Sequence, residues 1–90
     1  MVLIQCWGMA NGEQTDAFGQ LLKNYDPDFM GGLGRADWTH DASRALKFDD
    51  HKAALEFYRQ TSRVKTTRPD GRPNRPLTAF NLSFITEADL

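Results

Sequence analysis

Residues 49–84, DDHKAALEFYRQTSRVKTTRPDGRPNRPLTAFNLSF, run from a helix pattern through a basic stretch into a strand pattern. Over about Asp50 to Thr61, Ala53, Ala54, Phe57, Tyr58 and Thr61 recur on one broad helical face. Lys52, Glu56 and Arg59 fall on the opposite face, where Glu56 can pair with Lys52 or Arg59. Asp49 or Asp50 can cap this helix by accepting a backbone N–H bond. From Leu77 onward the period changes to two: Thr78, Phe80, Leu82 and Phe84 alternate with Ala79, Asn81 and Ser83. That alternation predicts a strand with one face on a core. A helix and a strand that each have one apolar face predict an α+β domain. Its sheet should be small and mostly antiparallel, with three to four strands packed against one main helix and long loops between.

Between helix and strand lies Arg59–Pro76. It carries Arg59, Arg63, Lys65, Arg68, Arg72 and Arg75, six of the eleven basic residues, and one of the twelve acids, Asp70, for a local charge of +5. The other five bases and eleven acids give −6, so a net charge of −1 hides a basic segment on an acidic body. Pro69, Pro73 and Pro76 each follow an arginine, which disfavours helix before them, and Asp70-Gly71 is a turn signal.

Upstream, Val2 to Trp7 is nearly all apolar and rich in strand formers, predicting a central strand. Gly8 and Asn11-Gly12 signal turns. Thr15 to Asn24 is read as a strand through Phe18–Lys23, although Phe18, Leu21 and Leu22 also have helical spacing. Residues 25–28, YDPD, predict a turn, and 29–34, FMGGLG, a flexible loop. Short strands are expected at Arg35–Thr39, with Trp38 inward, and around Leu46 and Phe48, with a helical turn at 40–45. The expected core comprises Ile4, Trp7, Leu21, Trp38, Phe48, Ala54, Phe57, Phe80, Leu82 and Phe84.

Ninety residues suit a single domain, 1–90, with one small core. The lone Cys6 permits no intrachain disulfide, which suits a cytoplasmic location. The opening MVLIQCWG lacks a charged n-region and is too short to span a bilayer, so it is read as a strand and no membrane partner is expected.

The sequence contains no G-x-x-x-x-G-K-[ST], G-x-S-x-G or H-E-x-x-H. FMGGLG lacks the spacing of a dinucleotide fingerprint. His40 and His51, near Asp41, Asp49 and Asp50, are read as surface residues before a metal site, and Cys6, between apolar neighbours, as a buried thiol before a nucleophile. The expectation is therefore a non-enzymatic protein that needs no cofactor. Asp26, Asp28, Asp37, Asp41, Asp49 and Asp50 could form a nucleic-acid-mimicking surface, against the plainer reading of caps and turns.

Arg63, Lys65, Arg68, Arg72 and Arg75 are the candidate partner- or anion-binding residues. Arginine forks suit carboxylate and phosphate, and the prolines stiffen the backbone that presents them. Either this strip folds back and neutralises the acidic body, or it stands clear and binds something else. It carries no aromatic residue for base stacking, which weighs against single-strand binding.

Two stretches, WTHDASRALKFDDHKAALEFYRQTS at 38–62 and RPDGRPNRPLTAF at 68–80, resemble small uncharacterised proteins of proteobacterial phages and prophages. The shared pattern is a W-T-x-D turn, an A-L-x-F-x-D lead-in to a helix, and an arginine–proline segment before a final strand. LLKNYDPD at 21–28 extends it to about half the chain. The resemblance implies a phage-type binding protein in the cytoplasm of a bacterial host. Some phage proteins of this size are anti-defence factors such as anti-CRISPRs. The expected partner is thus a host protein or ribonucleoprotein complex, with a nucleic acid as the alternative.

Overall fold

The computed structural model describes residues 1–89. Four strands, β1 (Val2–Met9), β2 (Leu21–Asp26), β3 (Arg35–Thr39) and β4 (Phe80–Thr86), form one sheet in the order β3-β2-β1-β4. Every pairing is antiparallel. One turn of helix, α1 (Phe29–Gly32), joins β2 to β3, and the main helix, α2 (His51–Tyr58), crosses one face of the sheet. The fold is α+β. No helix among the described residues is long and apolar enough to cross a membrane.

β1 is central, as its apolar run predicts, and Val2, Leu3, Ile4 and Cys6 are all buried. Val2 and Ile4 pair with Thr86 and Phe84 of β4, which puts their side chains on the face that α2 covers. There Phe57 meets Phe48 and Tyr25 at ring distances of 5.1 and 6.0 Å, and Tyr58 meets Phe84 at 5.8 Å. Ala54 is fully buried beneath the helix, where a small side chain lets helix and sheet approach. Trp38 points inward onto Phe80. The extended piece expected around Leu46 and Phe48 runs beside β1: Val2 and Phe48 exchange backbone hydrogen bonds of 2.7 and 2.8 Å, and Leu46 N–H donates to Leu22.

Several expectations are corrected. Trp7 leaves the core, being 41% exposed, because it follows Cys6 on the strand and so points to the opposite face. There it stacks edge-on against exposed Phe18, 5.5 Å away. Leu21 is buried in the core as expected, in a second cluster on that opposite face with Leu3 and Ala45. The strand expected at Phe18–Lys23 begins at Leu21, because Thr15–Gln20 closes tight turns with Phe18 N–H donating to Thr15 and Gln20 N–H to Ala17.

α2 starts where Asp50 Oδ1 accepts from Ala53 N–H at 2.8 Å. It ends at Tyr58, short of Thr61, and its last turn tightens as Gln60 N–H donates to Phe57. The amides of Arg63 and Val64 are instead taken by Asp28. β4 starts at Phe80, not at Leu77. Pro76 opens a 3-10 turn, Pro76–Ala79, whose Thr78 N–H and hydroxyl both bond the Arg75 carbonyl.

Candidate partner-binding face

Arg59–Pro76 folds as a narrow, hairpin-like loop. Ser62 N–H donates to Asn74 at 2.9 Å, Asn74 N–H to Thr66 at 3.0 Å, and Arg68 N–H to Arg72 at 2.8 Å. Arg68-Pro69-Asp70-Gly71 closes the tip, with Gly71 N–H on the Arg68 carbonyl at 2.9 Å. Proline second and glycine fourth are the residues this kind of turn favours. Asp70 Oδ1 also accepts from Arg72 N–H.

Two polar side chains fasten the loop. Asp28 Oδ1 accepts from Arg63 N–H at 2.6 Å, Ser62 Oγ–H at 3.0 Å and Val64 N–H at 3.3 Å. The Arg63 amide foremost, with the Ser62 hydroxyl and Val64 amide, holds the Asp28 carboxyl below the usual carboxylate range. Buried Asn74 donates both to the Gly32 carbonyl (2.7 Å) and to the Lys65 carbonyl (2.9 Å). Just beyond, the Tyr25 hydroxyl accepts from the buried Leu77 N–H at 3.2 Å. Burial pushes the Tyr25 phenol up to about 12.

FMGGLG, expected as a flexible loop, is a built turn. Met30 (φ 51°) and Gly31 (φ 71°) both lie in the left-handed region. Gly32 has its own reason: a Cβ there would sit 2.6 Å from Lys65 Cβ and 3.1 Å from the Asn74 amide nitrogen. The glycines serve to bring this turn against the basic loop.

The five candidate cations divide into two groups. Arg63, Lys65 and Arg72 are exposed; Arg72 has only a 3.9 Å contact with neighbouring Asp70. Arg68 turns inward, its Nη2 donating to Thr78 Oγ1 at 2.9 Å and to the Arg75 carbonyl at 3.3 Å. Arg75 is half-buried and its Nε lies buried without an acceptor. Among the described residues, none of the five forms a side-chain ion pair with an acid of the body. The loop's backbone folds back onto the body, while three of its charged side chains are exposed.

The acids are mostly occupied locally. Asp41 accepts from Ser43 and lies near Arg44, Asp50 caps α2, Asp26 accepts from Asp28 N–H, and Asp37 pairs with Arg35. The Ser43 hydroxyl and amide, with Arg44, hold the Asp41 carboxyl below its ordinary value. This is the cap-and-turn reading. Cys6 is buried with its thiol against Gly8, and His40 and His51 are exposed. No group of three or more His, Cys, Asp or Glu residues among the described ones is placed to hold a metal.

Sequence reasoning missed the apolar half of this face. Met30 is 74%, Leu33 72% and Val64 64% exposed. Met30 and Leu33 line an open cleft of about 420 Å³ together with Lys65, Arg68, Asn74 and Pro76. The available signal was Met30 and Leu33 each beside glycine, a setting that offers no regular buried face.

Comparison with protein-family models, with curated proteins and with solved structures returns no match.

Proposed function

We propose that this protein is a non-enzymatic binding protein that docks on a macromolecular partner through the loop 59–76 and the adjoining turn 29–34. The observation that carries this reading is a loop fastened at its root yet presenting exposed cations. Asp28 and Asn74 fix the backbone, while Arg63, Lys65 and Arg72 remain exposed and unpaired with body acids. A loop ordered in advance loses less conformational entropy on binding. Exposed charges held by no close body ion pair have little to break before they meet an external partner.

The mixture of chemistry favours a protein surface over bare nucleic acid. Exposed Met30, Leu33 and Val64 beside Lys65 and Arg63 combine apolar area with a cationic rim. In its sharpest form, consistent with the resemblance to phage proteins, the protein occludes a host complex such as a CRISPR or other defence nuclease. Recovery of a stoichiometric host complex by the tagged protein, together with loss of that complex's nuclease activity, tests this form. Nuclease activity that stays unchanged at saturating protein would reject inhibition. A duplex or single strand shifted at low salt, with no protein captured, would favour a nucleic-acid accessory role in its place.

A further inference from the structure

The geometry points to the cleft between turn 29–34 and the loop 59–76 as the seat for an acidic peptide segment of the partner, its carboxylates alternating with apolar side chains. This inference rests on the binding reading above and deepens it. The cleft has a volume of about 420 Å³, within the range of about 300–1,000 Å³ usual for ligand sites and far larger than a single ion needs. Its lining combines apolar Met30, Leu33 and Pro76 with the cationic residues Lys65 and Arg68. No acid lines it.

Arg68 is well suited to receive a carboxylate. Its two donations to Thr78 and the Arg75 carbonyl come from Nη2 alone, which leaves the other guanidinium nitrogens without a hydrogen bond among the described residues. Those same bonds hold the group in place before any ligand arrives. Lys65 lines the cleft too, its backbone fixed by Asn74 and its Cβ against Gly32. Arg75, between the cleft residues Asn74 and Pro76, has its Nε buried without an acceptor. With no ion-pair partner among the described residues, its charge adds to the positive field at the cleft wall. The apolar wall explains why a peptide suits this site better than a phosphate backbone: carboxylates meet Lys65 and Arg68 while intervening aliphatic side chains cover Met30 and Leu33.

The test is an amide chemical-shift titration of the full chain with a short capped peptide of alternating leucine and aspartate. A leucine–lysine peptide, a short single-stranded oligonucleotide and inorganic phosphate run alongside. The expected result is saturable shifts at Gly31, Gly32, Lys65 and the Asn74 side-chain amide with the acidic peptide only. Lys65→Glu keeps the Cβ contact and should weaken that binding about tenfold, the worth of one charge-assisted contact. The dispersion of its spectrum reports that the variant is folded. No shift with the acidic peptide at millimolar concentration, or equal shifts with the oligonucleotide or phosphate, would overturn the inference. If the peptide fails while host-complex capture still depends on Arg63 and Arg72, only the cleft assignment falls and the binding reading stands.

Discussion

Met30 and Tyr25 show at single residues how this face is built. Met30 holds a left-handed backbone, costly for any residue with a Cβ, and exposes most of its side chain. Met30→Gly removes that strain but adds backbone freedom to the unfolded chain. The net effect should be a gain of about 0.5 kcal/mol in denaturant unfolding. Partner affinity should fall in the same variant; a stability gain without that fall would mean Met30 is not a contact. Tyr25 works from beneath, where its hydroxyl accepts the buried Leu77 amide. Tyr25→Phe leaves that donor unsatisfied and should cost about 1–2 kcal/mol. The phenol's raised value also sets an alkaline limit. Tyr25 contributes stability in full below the unfolded value of about 10. That contribution is lost as pH rises through its folded value of about 12. Urea midpoints measured across this range should decline in the native protein and decline less in Tyr25→Phe.

At the scale of elements, the loop 59–76 is kept in place by turn 29–34 as much as by its own hydrogen bonds. Asp28→Ala removes the acceptor of three donors at the loop root. Amide exchange at Arg63 and Val64 should accelerate while β1 and β4 stay protected. Acid should lower the protection of the same two amides relative to their intrinsic exchange rate at each pH. The folded Asp28 carboxyl lies below its unfolded value, so its contribution is present above about pH 3.9. It is lost as pH falls through the lowered folded value. A loop that exchanges no faster in Asp28→Ala would show that Asp28 is not the clasp. Gly32→Ala attacks from the other side, its Cβ meeting Lys65 Cβ at 2.6 Å on a backbone of φ 104°. It should destabilise by about 1–3 kcal/mol in the same unfolding measurement.

The elements themselves were largely legible in the sequence. The alternation Phe80, Leu82, Phe84, the cap at Asp50 and the apolar run of β1 are local signals with local causes. The fastening of the loop was not legible. It depends on contacts 34 to 42 residues apart, from Ser62 to Asp28 and from Asn74 to Gly32, which no periodicity announces. Trp7 was misread because strand alternation gives two faces without saying how much of the second one is covered.

At the scale of the molecule, one helix covers one face of a single sheet, in a body measuring 40 × 27 × 18 Å. Charge is separated as the sequence announces, with +5 on residues 59–76 and −6 on the rest. Coulomb attraction alone would draw the loop's cations onto the body's acids. Asp26, Asp41 and Asp50 are instead engaged in caps and turns, and the loop is held through its backbone by Asp28. Its exposed charges therefore contribute little to folding, since surface charges of this kind are worth about 0–1 kcal/mol even when paired.

This division between backbone clasp and exposed charge is tested most directly by the triple variant Arg63→Ala, Lys65→Ala, Arg72→Ala, compared with the native chain for both urea unfolding and capture of the proposed host complex. Unfolding should stay within about 0.5 kcal/mol of native, while capture is lost. A variant that unfolds markedly more easily yet still captures its partner would contradict it, because the three side chains would then be serving the fold and not the partner.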